Sequence, residues 1–165
     1  MKLILMGVSG SGKTTLGQAL AACTGWPFLD GDDFHTAQAR AKMAGGEGLS
    51  DADRQPWLRQ LRAELRRRPT VILACSSLRR RYRDMLRVPG AHFVYLEVPP
   101  ATLRSRLNSR GDHYAHADLL PSQFHTLERP GLDEADVLSV HVTPQDSPAD
   151  LARLTLTALG LDHAC

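Results

Sequence analysis

The sequence lacks what would mark a nucleic-acid binder, a membrane protein or a cysteine scaffold. Its 165 residues carry 20 basic and 18 acidic side chains, a formal net charge of +2. That balance excludes binding to nucleic acid by bulk charge and leaves any cationic role to individually placed arginines. No apolar run approaches the roughly 20 residues a membrane span needs, and the apolar part of the opening MKLILMGV is too short for a signal peptide. Cysteine is scarce. Cys23, Cys75 and Cys165 have no metal-ligand spacing and form no even set, which points to reduced thiols and a cytoplasmic protein. No repeat or low-complexity linker interrupts the chain, so one domain over 1–165 with a substantial core is expected.

What is present is an alternation of short apolar runs with helical patterns. Strands are expected at Lys2–Met6, Pro27–Asp30, Val71–Cys75, Phe93–Val98 and Val137–Val142. Helices are expected over about Lys13–Cys23, Asp51–Arg67, Leu78–Arg87, after Pro100, and over Pro148–Leu159. Ser50 is placed to cap the second of these, with Asp51 and Asp53 in its first turn. The alternation predicts an α/β fold with a parallel sheet covered on both faces. The stretch NSRGDHYAHADLLP is polar and aperiodic, and reads as a mobile flap.

Gly7-Val8-Ser9-Gly10-Ser11-Gly12-Lys13-Thr14 matches G-x-x-x-x-G-K-[ST], followed by Thr15, with a strand before and a helix after. That context makes the motif a phosphate loop. Its glycines let backbone N–H groups turn inward around a phosphate, and the helix N-terminus adds partial positive charge. Lys13 is assigned to the β- and γ-phosphates and the Thr14 hydroxyl to Mg²⁺. The alternative is a glycine-rich connection that holds no ligand.

Two activities use such a loop: transfer of the γ-phosphoryl group to a bound acceptor, and hydrolysis in a switch or motor. Transfer is favoured. No Asn/Thr-Lys-x-Asp stretch is present to read guanine, and the third strand ends in ACSS without the acid typical of motors. An acceptor needs a carboxylate beside its hydroxyl, and Asp30-Gly31-Asp32-Asp33 supplies it. Ligands of an open parallel sheet sit beyond the carboxyl ends of its strands. The second strand should therefore neighbour the phosphate loop, and its Asp30 and Asp32, two apart in extended chain, should share one side. The alternative is a plain acidic turn, but three carboxylates beside a phosphate site would repel the nucleotide without a function.

GVSGSGKTT, FLDGDDFH, LSDADRQPWL, ACSSLRRRYRDMLR and LLPSQFHTLERP, in that order from Met1 to about Val142, resemble the gluconokinase family, small P-loop kinases related to shikimate kinase. The resemblance implies a P-loop kinase fold: a five-stranded parallel sheet flanked by helices, a mobile lid at about 108–127, a substrate-binding helical segment at about 33–67, and a homodimer. It implies ATP and Mg²⁺ as cofactors and D-gluconate as the small-molecule substrate, giving 6-phospho-D-gluconate and ADP. By this match Asp32 is the base and Asp30 the partner of a Mg²⁺-bound water. A kinase for another sugar acid or a shikimate-like acid, and a non-catalytic nucleotide-binding protein or NTPase switch, stay open as alternatives.

Gluconate is an open-chain polyol with a carboxylate, so it needs hydroxyl partners and a cation at one end. Arg54 is the candidate cation, since guanidinium meets carboxylate bidentately; its alternative is an i,i−3 pair with Asp51. His35, Lys42 and Ser76 are candidates for further substrate contacts, and Trp57 reads equally as core or as ligand wall. The remaining assignments lean on the family pattern. Arg83 matches its YRD and is a candidate substrate contact, and His113 and Gln123 match its lid and are candidate substrate contacts as well. Arg106 is assigned to the nucleotide and Arg110 to charge on the transferring phosphoryl group. Thr143-Pro144-Gln145 would border the adenine. The family commonly has HPxxNxxKM where this chain reads HTAQARAKM, so Thr36 and Ala39 are departures that bear on which sugar acid is preferred.

Overall fold

The computed structural model describes residues 1–109 and 120–161. Five strands, β1 (Lys2–Met6), β2 (Phe28–Asp30), β3 (Val71–Ala74), β4 (Ala91–Glu97) and β5 (Val137–His141), form one parallel sheet in the order β2-β3-β1-β4-β5. Among the described residues the helices are α1 (Lys13–Thr24), α2 (Ala37–Ala44), α3 (Asp51–Arg67), α4 (Arg80–Leu86), α5 (Pro100–Ser109), α6 (Leu120–Thr126) and α7 (Pro148–Ala158). A 3-10 turn, Gly31–Phe34, follows β2 directly.

β2 does not neighbour β1; β3 lies between them, with Lys2 of β1 in register with Val71 and Phe28 of β2 with Ile72. Both edges of β1 are taken, by β3 and β4. The chain goes to one side of β1 for β2 and β3 and then crosses to the other for β4, which opens a crevice above the carboxyl end of β1.

The central strands are buried on both faces, and side-chain alternation divides the core in two. Leu3, Leu5, Ile72, Val94 and Leu96 face α1 and α7, where Leu16, Leu20, Ala152 and Leu156 meet them. Ile4, Met6, Leu73, Phe93 and Tyr95 face α3 and α4, meeting Trp57, Leu58, Leu61, Leu65 and Leu86. α3 begins with a capping box in which the Ser50 hydroxyl accepts from the Asp53 amide while Asp53 accepts from the Ser50 amide, satisfying donors that a helix start leaves free. No described helix is long and apolar enough to cross a membrane. Cys75 is free and buried.

Candidate active site

The loop from Gly7 to Thr14 carries the chain from β1 into α1. Gly12, the N-cap of α1, has φ 98° and ψ 17°, a left-handed conformation that strains any residue with a Cβ. Gly7 is required for space as well. A Cβ there would stand 2.9 Å from Ser11 Oγ and 3.1 Å from the Leu96 carbonyl oxygen. α1 has no side-chain cap and no acid in its first turn. The positive end of the helix therefore carries no cap of its own and faces the crevice.

Lys13 Nζ donates to the carbonyls of Gly7 and Val8, each at 3.0 Å. Burial pushes its pKa down, and the negative charges of Asp32 and Asp30 oppose that shift. A cation held this way on neutral carbonyls has its charge available to an anionic ligand.

The acidic turn reaches this loop across the end of β3. Thr14 Oγ1 donates to Asp30 Oδ2 at 3.0 Å, and Asp30 Oδ1 accepts from the Asp32 amide at 3.1 Å. Asp30 thereby ties α1 to the 3-10 turn. The turn starts at Gly31, so Asp30 and Asp32 do not stand two apart in an extended strand as the sequence spacing suggested. Asp32 is 89% exposed at its side chain and lies 3.6 Å from His35 Nε2. The His35 ring is stacked on Trp57, with centroids 4.5 Å apart and planes 13° from parallel. Trp57 Nε1 donates to the Gly31 carbonyl at 2.6 Å, so Trp57 belongs to the core and supports the acidic turn together. His35 Nδ1 is buried and has no hydrogen-bond partner.

Arg54 does not pair with Asp51. Its guanidinium donates to the Leu49 carbonyl and lies 5.5 Å from the centre of the Tyr82 ring, while Asp51 takes the Tyr82 hydroxyl and Arg81. Lys42 Nζ donates to both Asp53 oxygens at 2.9 and 3.0 Å, locking the end of α2 to the start of α3. That bond and the Ser50 amide and hydroxyl hold the Asp53 carboxyl down at about 2. The Ser76 carbonyl accepts from the Gly7 amide at 3.2 Å, at the mouth of the loop.

Arg83 is a correction. It is fully buried and makes a fork onto Glu134, Nε to Oε2 at 2.8 Å and Nη2 to Oε1 at 2.6 Å. Its Nη1 donates to the carbonyls of Ser77, Leu78 and Glu128. All three of its nitrogens are engaged inside the protein, which turns it away from a substrate.

On the other side of the loop is a cleft of about 320 Å³ lined by Gly10, Gly12, Thr15, Arg106, Asp146 and Leu151 among others. Arg106 Nη1 lies 3.5 and 3.4 Å from the carbonyls of Gly10 and Ser11. The loop after β5 borders the cleft through Val142 and Asp146, with Pro148 at the start of α7 beside them, and exposed Pro144 is not in its lining. Asp146 turns back to accept the Thr143 amide at 2.7 Å, which shapes that rim. Gln123, on α6, meets the phosphate loop at Ser9. Arg110 and His113 lie outside the described residues, as does about half of the expected lid.

The Ser9–Gln123 contact carries no local sequence signal, because its two residues come from distant parts of the chain. Trp57–Gly31 was half visible, in that Trp57 read as core or wall.

Fold and loop together define a P-loop phosphotransferase of the small-kinase type. The sequence profile of shikimate kinase matches residues 9–155, and the chain belongs to that family. Among its relatives is the thermosensitive gluconokinase of Escherichia coli K12, 43% identical over 145 residues that cover 84% of this chain and 78% of that one. The crystal structure of a gluconokinase from Sinorhizobium meliloti 1021 superposes with a TM-score of 0.87 at 38% identity, covering 96% of this chain and 91% of that one. The APS kinase CysC of Mycobacterium tuberculosis, solved with AMPPNP and APS, shares the fold at 19% identity and a TM-score of 0.66, covering 96% of each chain.

Proposed function

We propose that the protein is a gluconokinase, transferring the γ-phosphoryl group of ATP to D-gluconate to give 6-phospho-D-gluconate and ADP. The observation that carries this reading is the 3.0 Å bond from Thr14 to Asp30. It joins the acidic turn to the phosphate loop, so that a carboxylate-rich edge for an alcohol acceptor lies beside the lysine end of the loop. Relatives named as gluconokinases, at 43% and 38% identity, support gluconate as that acceptor.

In this reading Lys13 moves from its two carbonyls to the β- and γ-phosphates. The Thr14 hydroxyl and Asp30 carboxylate are hard oxygen donors of the kind Mg²⁺ takes beside substrate phosphates. Their contact suits that ion, directly or through water, and the ion would offset charge on the phosphates. Asp32, exposed beside His35, orients the acceptor hydroxyl and takes its proton. Arg54, absent from the described ion pairs and held above Tyr82, meets the sugar-acid carboxylate. Arg106 contacts the nucleotide, and Arg110 the transferring group.

The test is an ADP-release assay on the purified protein with gluconate, other sugar acids, shikimate and no acceptor. Turnover with gluconate well above the rest is expected. Equal turnover without an acceptor would replace the kinase with an NTPase. One observation bears on the choice among sugar acids: Ala39 is buried and offers a polyol no side-chain hydrogen bond. Thr36 instead caps α2 by accepting the Ala39 amide at 3.1 Å. A homodimer is proposed from the family resemblance, with sedimentation as its check. A cytoplasmic location is supported by ATP as donor.

A further inference from the structure

The peptide unit joining Val8 to Ser9 is held at both of its poles. Its carbonyl oxygen accepts Lys13 Nζ at 3.0 Å and the Ser11 amide at 3.2 Å. Its N–H, which points the opposite way in a trans peptide, donates to Gln123 Oε1 at 2.6 Å. Gln123 Nε2 then donates to Ser9 Oγ at 3.1 Å. The orientation of the glutamine amide is fixed by chemistry, because a backbone N–H only donates and must face the oxygen. A cation on the carbonyl polarises the peptide and strengthens its N–H as a donor, in keeping with the short bond.

Gln123 stands on α6, 114 residues along the chain from Ser9. It reaches the Val8–Ser9 peptide from the pole opposite to the one on which Lys13 docks. We infer that Gln123 is a positioning residue for the phosphate loop: by pinning the Val8–Ser9 peptide it fixes the carbonyl on which Lys13 docks and keeps that N–H turned out of the phosphate cradle. Without it the peptide can rotate, which disturbs the backbone of the loop that grips the phosphates. This places Gln123 on the nucleotide side of the reaction, whereas the sequence pattern had put it among the contacts to the sugar acid.

The inference rests on the kinase reading, and the two fail separately. Wild type that neither binds ATP nor phosphorylates gluconate refutes the reading; wild type that does both makes the following measurements decisive. Gln123→Ala is expected to weaken ATP binding, titrated without acceptor, by about fivefold or more, the scale of one lost hydrogen bond, with KM for gluconate within about twofold. Ser9→Ala removes only the hydroxyl and should give a smaller weakening in the same direction. The double variant should bind ATP no more weakly than Gln123→Ala alone, since both act through one contact. ATP affinity unchanged in Gln123→Ala, or an effect confined to KM for gluconate, overturns the inference. Should Gln123→Ala fail to fold, Ser9→Ala decides alone: weaker ATP binding supports it, and unchanged binding overturns it.

Discussion

The Arg83 guanidinium lies across both carboxylate oxygens of Glu134, with side chains 1% and 2% exposed. The pair joins α4 to the segment before β5, and Arg87 adds a second guanidinium at 2.5 Å. Removing one member leaves a buried charge without its partner, at a cost of about 3–5 kcal/mol. Arg83→Met should therefore lower the thermal midpoint sharply, while KM for gluconate in the folded fraction stays at the wild-type value. A raised KM with an unchanged midpoint would restore Arg83 to the substrate site.

The same pair sets an acid limit. Hydrogen bonds from Arg83, and then Arg87, hold the Glu134 carboxyl down at about 2 against the opposing effect of burial. Its folded pKa is below the ordinary 4.5, so its stabilisation is complete above that value and is lost as pH falls toward about 2. Thermal melts across this window should fall less steeply for Glu134→Gln than for wild type, from a lower starting midpoint.

At the phosphate loop, Lys13→Ala should reduce kcat by on the order of 10²–10³-fold, the scale for a lost electrostatic contact to developing charge. Asp32→Asn should reduce kcat by on the order of 10²-fold or more, as for a lost general base, with ATP binding retained. Steady-state kinetics and ATP titration check both. Normal turnover in Asp32→Asn would remove it as the base.

Asp30→Asn keeps an acceptor for Thr14 but removes the charge. The Mg²⁺ concentration for half-maximal activity should rise several-fold, while KM for gluconate stays close to wild type. A magnesium titration at saturating ATP and gluconate reads this directly.

Arg54 and Lys42 separate by the same kinetics. Arg54→Ala should chiefly raise KM for gluconate, by about tenfold for a lost charged hydrogen bond. Lys42→Ala breaks the lock on Asp53 and should show itself as a lower midpoint and an altered acid transition. A gluconate KM that moves with Lys42 and not with Arg54 would exchange their roles.

Much of the fold was legible because it is local. The strand runs, the Ser50 cap and the bounds of α3 follow from apolar pattern and capping chemistry within a few residues. The phosphate loop was legible because its glycines are imposed by backbone geometry. α2 was visible only as part of a longer segment, since its periodicity is weak and its start is fixed by the Thr36 cap. The strand order was not legible, because it depends on pairing between distant segments and no spacing along the chain records it. Arg83 was misread for a related reason. Its partner Glu134 is 51 residues away, and an arginine at a motif position looks alike whether it faces a ligand or a buried acid.

The intervening strand has a consequence for tolerance to change. Two neighbour spacings of about 4.8 Å each separate the strand that launches the phosphate loop from the one that ends in Asp30. That gauge is set by main-chain hydrogen bonds and is indifferent to most side chains. Gly31 is where it is exposed to error, since a Cβ there would come within 2.6 Å of the Ala74 carbonyl oxygen. A single methyl group at that point would wedge the acidic turn off its rail, so the ruler that sets the donor-to-acceptor distance is guarded by the smallest residue in the turn.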